Sequence, residues 1–278
     1  MYVLNNHFDK LKSLFLNSND NNLKIGYGEI LSTILLNLYI NITFLDSRSI
    51  IKKIGDGFIC DLDIFLDNTG DNQSIVMQGF IASDSSGETV LLSRGGSDTT
   101  ATLIANTLSS KKVYIYTDVN GLLSSDPRLI KNTELISNIH YDVAKELAVS
   151  GAKVLHPCSV LPAKEKNIDI IIKNTYNSDS DGTIINNTDN NNITVTNKVG
   201  VTIFHIKSIN TWNNCGFESD IFKDFKENNV DVNIIATSQF LISCTTQCSA
   251  RIKLEKLKKK LEQKYEVQMI MDSSTISV

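Results

Sequence analysis

Apolar residues recur at three- and four-residue spacing early in the chain. From Tyr27 onward, Ile30, Ile34, Leu35 and Leu38 follow a helical period, and residues 8–40 are expected to be helical. The pattern then shortens. INITFLDS (40–47) reads as a short strand, residues 62–73 as a loop or a strand with a turn, and SIVMQGFIAS (74–83) as one buried strand. SDSSGET (83–89) reads as a turn. VLLSRGGSDTTATLIANTL (90–108) runs strand, glycine loop, helix, with Ser97 or Asp98 as the expected cap. KKVYIYTD (111–118) is a second buried strand, followed by the loop VNGLLSSDPRLI. YDVAKELAVSGA (141–152) is a helix closed by Gly151, SVLPAKEKN (159–167) a helix, and IDIIIKNT (168–175) a strand. Strands alternating with helices predict an α/β fold, a mostly parallel sheet with helices on both faces.

The stretch 176–198 is rich in Asn, Asp, Ser and Thr and reads as the connection between two domains, with the linker proper at 188–198. This gives domains at 1–187 and 199–278. Beyond the linker the order is strand (199–206), helix (215–228), strands (230–237 and 240–245), helix (250–265) and strand (267–272). The first helix carries Phe217, Ile221, Phe222 and Phe225 on one side; the second has Ile252, Leu254, Leu257 and Leu261 as its apolar stripe. That succession is the ferredoxin-like α+β arrangement.

Composition narrows the function classes. At 278 residues the chain is long enough for about two domains, each with its own core. A formal net charge of −4 does not suit a general nucleic-acid binder, which needs a basic face to displace counterions. No run of about 20 apolar residues predicts a membrane span. The N-terminal residues lack the pattern of a secretory signal, and the five scattered cysteines fit reduced thiols, so a cytoplasmic protein is expected. Cys244 and Cys248 are four apart but have no second metal-spaced pair, so no metal site is expected from the protein alone.

Three segments carry candidate chemistry. Arg94-Gly95-Gly96-Ser97-Asp98 sits between a strand and a helix. Its glycines let backbone approach a ligand, the helix start offers free N–H groups, and an Arg can grip a carboxylate with two parallel hydrogen bonds. YTDVNGLLSSDPR (116–128) puts polar groups at the carboxyl edge of the sheet, where open α/β sheets bind ligands. GAKVLHP (151–157) offers Lys153, which can reach a phosphate or simply face a helix C-terminus; His156 reads as structural.

Taken in order and at these spacings, IASDSSGETVLLSRGGSDTTATLIA, YIYTDVNGLLSSDPRLI, AVSGAKVLHP and NTYNSDSDGTII closely resemble the aspartate kinases, enzymes of the amino-acid-kinase fold. The resemblance starts at Gly26-Tyr27-Gly28-Glu29 and runs to the C-terminus. It implies ATP-dependent phosphorylation of the side-chain carboxylate of L-aspartate, with Mg2+ accompanying the nucleotide, as the first step toward lysine, threonine and methionine. By resemblance, Glu29 binds the amino group of aspartate, Arg94 holds a substrate carboxylate with Gly95, Gly96 and Ser97 around it, and Asp98 organises the transfer site. Thr117, Asp118, Arg128 and Lys153 line the ATP site.

Residues 199–272 resemble the first ACT unit of these enzymes, a module that binds an amino-acid effector where paired units meet. The implied effector site is Asn213, Asn214, Gly216 and Phe217 on one side, with Val232, Asn233, Thr237, Ser238 and Gln239 opposite. Trp212 reads as an exposed loop aromatic. The resemblance implies a homodimer through these units and lysine or threonine as effector. Asn233 and Gln239 stand where the lysine-responsive enzymes have acidic residues, which points to weak lysine binding. The sequence also departs from the family's pattern. The Lys-Phe-Gly-Gly strand-loop that holds the transferring phosphate is expected before Gly26 and is not found in residues 1–25; Ser93 replaces a usual Gly and Leu123 a frequent aromatic. SSTISV (273–278) reads as the start of a further ACT unit. These departures suggest a chain truncated at both ends, and an alternative role as a non-catalytic amino-acid sensor or partner subunit.

Overall fold

The computed structural model describes residues 2–69, 74–151, 154–189, 193–209 and 216–278. The chain divides into two compact units, Met1–Thr194 and Val195–Val278, so the division falls inside the polar 188–198 stretch.

The first unit opens with two helices, α1 (Tyr2–Asn17) and α2 (Asn21–Ile40), where the spacing predicts one. Asp20 breaks the run: its carboxylate accepts from the Leu23 N–H (3.0 Å) and caps α2. Next come β1 (Thr43–Leu45), α3 (Ser47–Ile50), β2 (Ile51–Ile54) and β3 (Gly57–Cys60). Residues 62–69 then form the helix α4 (Leu62–Thr69) rather than a loop or strand, because the Asp61 side chain caps it at the Ile64 N–H (3.1 Å). The predicted 74–83 strand is two, β4 (Ile75–Met77) and β5 (Ile81–Ser83), parted by a turn at Gln78-Gly79-Phe80 in which Phe80 takes φ 70°. β6 (Thr89–Leu91), α5 (Gly96–Thr107), β7 (Lys112–Thr117), β8 (Asn138–His140), α6 (Tyr141–Ser150), α7 (Pro157–Glu165), β9 (Asp169–Asn174) and β10 (Thr183–Asn186) complete the unit.

Its strands pair as a four-stranded sheet β7-β9-β10-β8, a second four-stranded sheet β3-β2-β5-β6, and the pair β1-β4. Parallel pairs (β1–β4, β2–β5, β7–β9, β8–β10) outnumber antiparallel ones (β2–β3, β5–β6, β9–β10). Ile170, Ile171 and Ile172 of β9 are all buried, as a strand covered on both faces requires. The stretch from 176 is therefore not wholly a connection: Thr183–Asn186 is an interior strand. Polar residues fit there because Thr183, fully buried, donates its hydroxyl to the Ile136 carbonyl (2.7 Å) and accepts from the Leu122 N–H (2.8 Å).

The second unit runs β11 (Thr196–Ser208), α8 (Phe217–Glu227), β12 (Ile234–Thr237), β13 (Leu241–Thr246), α9 (Arg251–Leu261) and β14 (Tyr265–Ser277). The sheet order β12-β13-β11-β14, all antiparallel, is the ferredoxin-like one. Phe217, Ile221 and Phe225 of α8 and Leu254, Leu257 and Leu261 of α9 pack onto Phe204, Ile206, Ile242 and Cys244. Ile252, expected in that stripe, is 86% exposed: it lies at the first turn, off the face that meets the sheet. Residues 273–277 continue β14, pairing with 196–201 across an irregularity near Gly200. Among the described residues no helix is long and apolar enough to cross a membrane.

Thr183→Val should lower the unfolding free energy by about 2 kcal/mol, because Leu122 N–H and the Ile136 carbonyl lose a partner inside the unit. Thr183→Ser keeps the hydroxyl and should retain most of the stability. Urea midpoints of the two variants check this.

Candidate active site

The strands β7 and β9 run parallel and in register, so that Thr117 and Asn174, their last residues, lie side by side. Each strand is preceded in sequence by a helix, α5 before β7 and α7 before β9. A helix that packs back against the strand it feeds points its N-terminus toward that strand's carboxyl end. The two helices themselves lie side by side, running the same way. At their starts, a Cβ built on Gly95 would lie 2.1 Å from the Cβ of His156. At their ends, Asn106 Nδ2 donates to the Pro162 carbonyl (2.6 Å) and to Glu165 (3.1 Å). Two helix N-termini, with their unpaired N–H groups and positive dipole ends, thus share one edge of the sheet.

The first of those starts is built from Arg94 to Asp98. Gly95, not Ser97 or Asp98, is the N-cap of α5: it adopts φ 70°, and no side chain caps the helix. The difference comes from crowding behind the loop. A Cβ on Gly96 would meet Phe80 at 2.6 Å and Leu92 at 2.8 Å, and one on Gly79 would meet Ser97 at 2.8 Å. The 78–80 turn presses against the loop, and the Phe80 N–H donates to Thr100 Oγ1 (3.1 Å) one turn into α5. Gln78 anchors the turn by accepting from the Ser47 N–H (2.9 Å), and its buried Nε2 has no partner among the described residues. The arrangement leaves Ser97 and Asp98 in the first turn, with the Arg94 side chain exposed beside them. Burial pushes the Asp98 carboxyl above the usual carboxylate range, with a smaller downward pull from His156.

At the carboxyl edge, Thr117 Oγ1 donates to Asp118 (3.2 Å), and both stand where β7 ends. Asn120 is the hub of the following loop. Its side-chain oxygen accepts from Asn174 (2.7 Å) and Asn177 (3.3 Å), which ties the loop to the end of β9. Arg128 is farther along the same loop and holds Asp126 with two parallel bonds, Nε to Oδ1 (3.0 Å) and Nη2 to Oδ2 (2.6 Å). That pairing raises the Arg128 pKa and engages its guanidinium. Lys153 lies outside the described residues. Glu29 sits half-buried in the middle of α2, one turn past Gly26, whose missing side chain makes room for Ile81. Among the described residues no hydrogen bond or ion pair joins the Glu29 side chain to Arg94 or Asp98.

In the second unit, Asn213 and Asn214 lie outside the described residues, as does Trp212. Gly216 is the N-cap of α8 at φ 89°. Phe217 does not line a surface: it is 5% exposed and packs edge-on against Tyr265 with ring centroids 5.2 Å apart. Val232 packs partly buried against the same core. Asn233, Thr237, Ser238 and Gln239 are exposed along the outer strand β12 and its turn, where the Asn233 N–H bonds the Thr245 carbonyl (2.8 Å) and the Ser238 N–H that of Leu241 (2.8 Å).

Comparison with known proteins agrees with this architecture. The amino acid kinase family model matches residues 27–174. The chain is 31% identical over 274 residues to chloroplastic aspartokinase 1 of Arabidopsis thaliana, covering 91% of this chain and 48% of that protein. It is 34% identical over 174 residues to lysine-sensitive aspartokinase 3 of Escherichia coli, covering 62% of this chain and 39% of that one. The chain therefore spans about half or less of the length of these relatives. In fold it is similar to the crystal structure of Clostridium acetobutylicum aspartate kinase, at TM-score 0.85 and 24% identity over 98% of this chain and 66% of that one. It is likewise similar to Escherichia coli aspartokinase III in complex with lysine and aspartate, at TM-score 0.82 and 24% identity over 99% of this chain and 68% of that one.

The raised pKa of Asp98 has a stability consequence. The folded chain holds that proton more tightly than the unfolded one, so stability falls as pH rises from the ordinary carboxylate range through the raised value. Asp98→Asn should therefore melt higher than the parent at pH 7 and lose this advantage at pH values below the ordinary carboxylate range. Thermal unfolding across pH checks it; an equal offset at all pH values would show that the buried charge is not the cause.

Proposed function

The chain belongs to the amino acid kinase family, and from that membership we propose that it acts as an aspartate kinase, using ATP to phosphorylate the side-chain carboxylate of L-aspartate. In this reading it opens the route to lysine, threonine and methionine. The observation that carries the reading is the pair of parallel helix starts at one sheet edge with Arg94 and Asp98 at the mouth of α5. A phosphoryl group moving between two anions needs positive potential more than it needs a base. The attacking carboxylate is already ionised at neutral pH, so the site works by positioning and by offsetting developing charge.

Arg94 is exposed and forms no ion pair among the described residues, so its guanidinium is available for the α-carboxylate of aspartate, with Ser97 and the first N–H groups of α5 beside it. Glu29 would take the ammonium group. Thr117 and Asp118 support the nucleotide from the strand end, joined by Arg128 and Lys153. Magnesium usually reaches such sites on the phosphates and takes only one or two carboxylates from the protein. Asp98, in the first turn of α5, and Asp118, just past the end of β7, would be the carboxylates offered to it. The relatives' names support the substrate, and one solved relative was crystallised with aspartate and ADP.

The second unit would bind an amino-acid effector, pairing with a second copy to do so. A relative is called lysine-sensitive. Here the exposed Asn233 and Gln239 offer neutral amides toward a lysine ammonium, with Asp231 the nearest carboxylate in sequence. Replacing a charge-assisted hydrogen bond with a neutral one costs roughly 1.5–3 kcal/mol, or about 10- to 150-fold in affinity. Threonine fits the amides better.

Calorimetry tests both readings. L-Aspartate should bind the chain, and Arg94→Ala should weaken that binding by roughly 2–5 kcal/mol while leaving ADP binding in place. Aspartate binding unaffected by Arg94→Ala would remove Arg94 from the substrate site, and no aspartate binding at all would favour a non-catalytic sensor. In the same instrument lysine should bind weakly; micromolar lysine affinity would show that Asn233 and Gln239 do not set the preference.

A further inference from the structure

The sequence leaves His156 without a role beyond the structural, yet it stands at the point where the two helix starts touch. Its conformation is fixed from several directions. It is the N-cap of α7, extended at φ −89° and ψ 140°, and its Nδ1 accepts from the Cys158 N–H at 3.3 Å. Its carbonyl accepts from the Ser159 N–H (3.0 Å) and from the fully buried Ser159 hydroxyl (2.6 Å). Pro157 follows at the first helical position, which limits the backbone of His156 to extended conformations. With Nδ1 used as an acceptor, the neutral ring carries its proton on Nε2.

Against this fixed residue lies Gly95. A Cβ on Gly95 would sit 2.1 Å from His156 Cβ and 2.9 Å from Cγ, so the histidine fills the space that a side chain at Gly95 would take. Gly95 is also the residue whose left-handed backbone starts α5, and its carbonyl accepts from the Thr99 N–H (2.9 Å) and hydroxyl (3.0 Å). Arg94 precedes it directly, and Ser97 and Asp98 follow in the first turn. Any displacement of His156 opens a gap behind the one residue that sets the direction of this loop.

We propose that His156 is a positioning residue for the Arg94–Asp98 loop: capped into α7 and packed on Gly95, it holds Gly95 in its left-handed conformation and so aims Arg94 at the substrate carboxylate. It acts through Gly95 and does not touch the substrate. The part that concerns the substrate rests on the reading of Arg94 given above, while the mechanical part does not.

The test uses the full chain and two variants. His156→Ala keeps the Cβ nearest Gly95 but removes Cγ, the next contact, together with the rest of the ring and the cap; His156→Asn restores an oxygen that can accept from Cys158 and keeps side-chain bulk beyond Cβ. Hydrogen exchange measured by mass spectrometry should show peptides spanning 94–99 exchanging roughly five-fold faster in His156→Ala, the worth of a typical helix cap, and returning near the parent rate in His156→Asn. L-Aspartate affinity should follow the same order, with ADP affinity unchanged. Faster exchange confined to 157–165, with 94–99 as protected as in the parent, would overturn the proposal, since His156 would then serve α7 alone. A His156→Asn variant as loosened at 94–99 as His156→Ala would overturn it too. Loosening at 94–99 in a chain that binds no aspartate even as the parent would leave the mechanical claim standing and bring down the functional reading of Arg94 instead.

Discussion

Gly95 and His156 meet with no room for even a methyl group between them, and most of the first unit's useful geometry depends on that contact. Two helices that touch at their starts and again at their ends must run parallel, and so must the strands they feed. The parallel strands then end in register at Thr117 and Asn174, and the loop between them is bound across by Asn120. The Arg94–Asp98 loop is positioned by crowding one layer below, with Phe80 and Leu92 behind Gly96 and Ser97 against Gly79. Local preference alone would have placed a Ser or Asp at the cap. Tight packing displaced that preference, and freed the Asp98 side chain from capping.

The second unit is organised more simply. A face of phenylalanines on α8 and leucines on α9 covers one side of an antiparallel sheet, and Lys260 links the two helices by reaching Asp224 (2.7 Å) and Glu227 (2.5 Å). Asp224 is nearly buried and its partner half-exposed, so this bridge is worth more than a surface pair yet is not what holds the helices down. The apolar face does that.

How far the sequence could be read depended on the range of the forces involved. Elements set by local periodicity, such as α8, α9 and the Ile170–Ile172 run of β9, were legible because each carries its own pattern. Elements set by a single side chain were not. The break between α1 and α2 rests on one carboxylate at Asp20, and α4 on Asp61; both are N-cap signals that a longer apolar run concealed. The strand β10 was hidden because its polar Thr183 is satisfied by residues about 47 and 61 positions away, a relation no window along the chain can contain. At the site, the glycine loop and strand end announced themselves by composition. His156 did not, since its importance lies in what Gly95 lacks. The His-Pro pair before a helix was the one available signal.

The long pairing of β11 with β14 carries a kinetic meaning. Its partners extend from Ser208 with Tyr265 out to Thr196 with Ser277, so its contacts join residues separated by most of the second unit. Such a ladder cannot start from a local hairpin; its first rung closes a large loop, and the entropy of that closure must be met before the sheet gives anything back. The hairpin of β12 and β13 and the helices can form early because their contacts are near in sequence. The central strand β11 gains its second neighbour only when β14 arrives. Folding of this unit should therefore be a late, all-or-none event governed by its last strand, with a high contact order despite its small size.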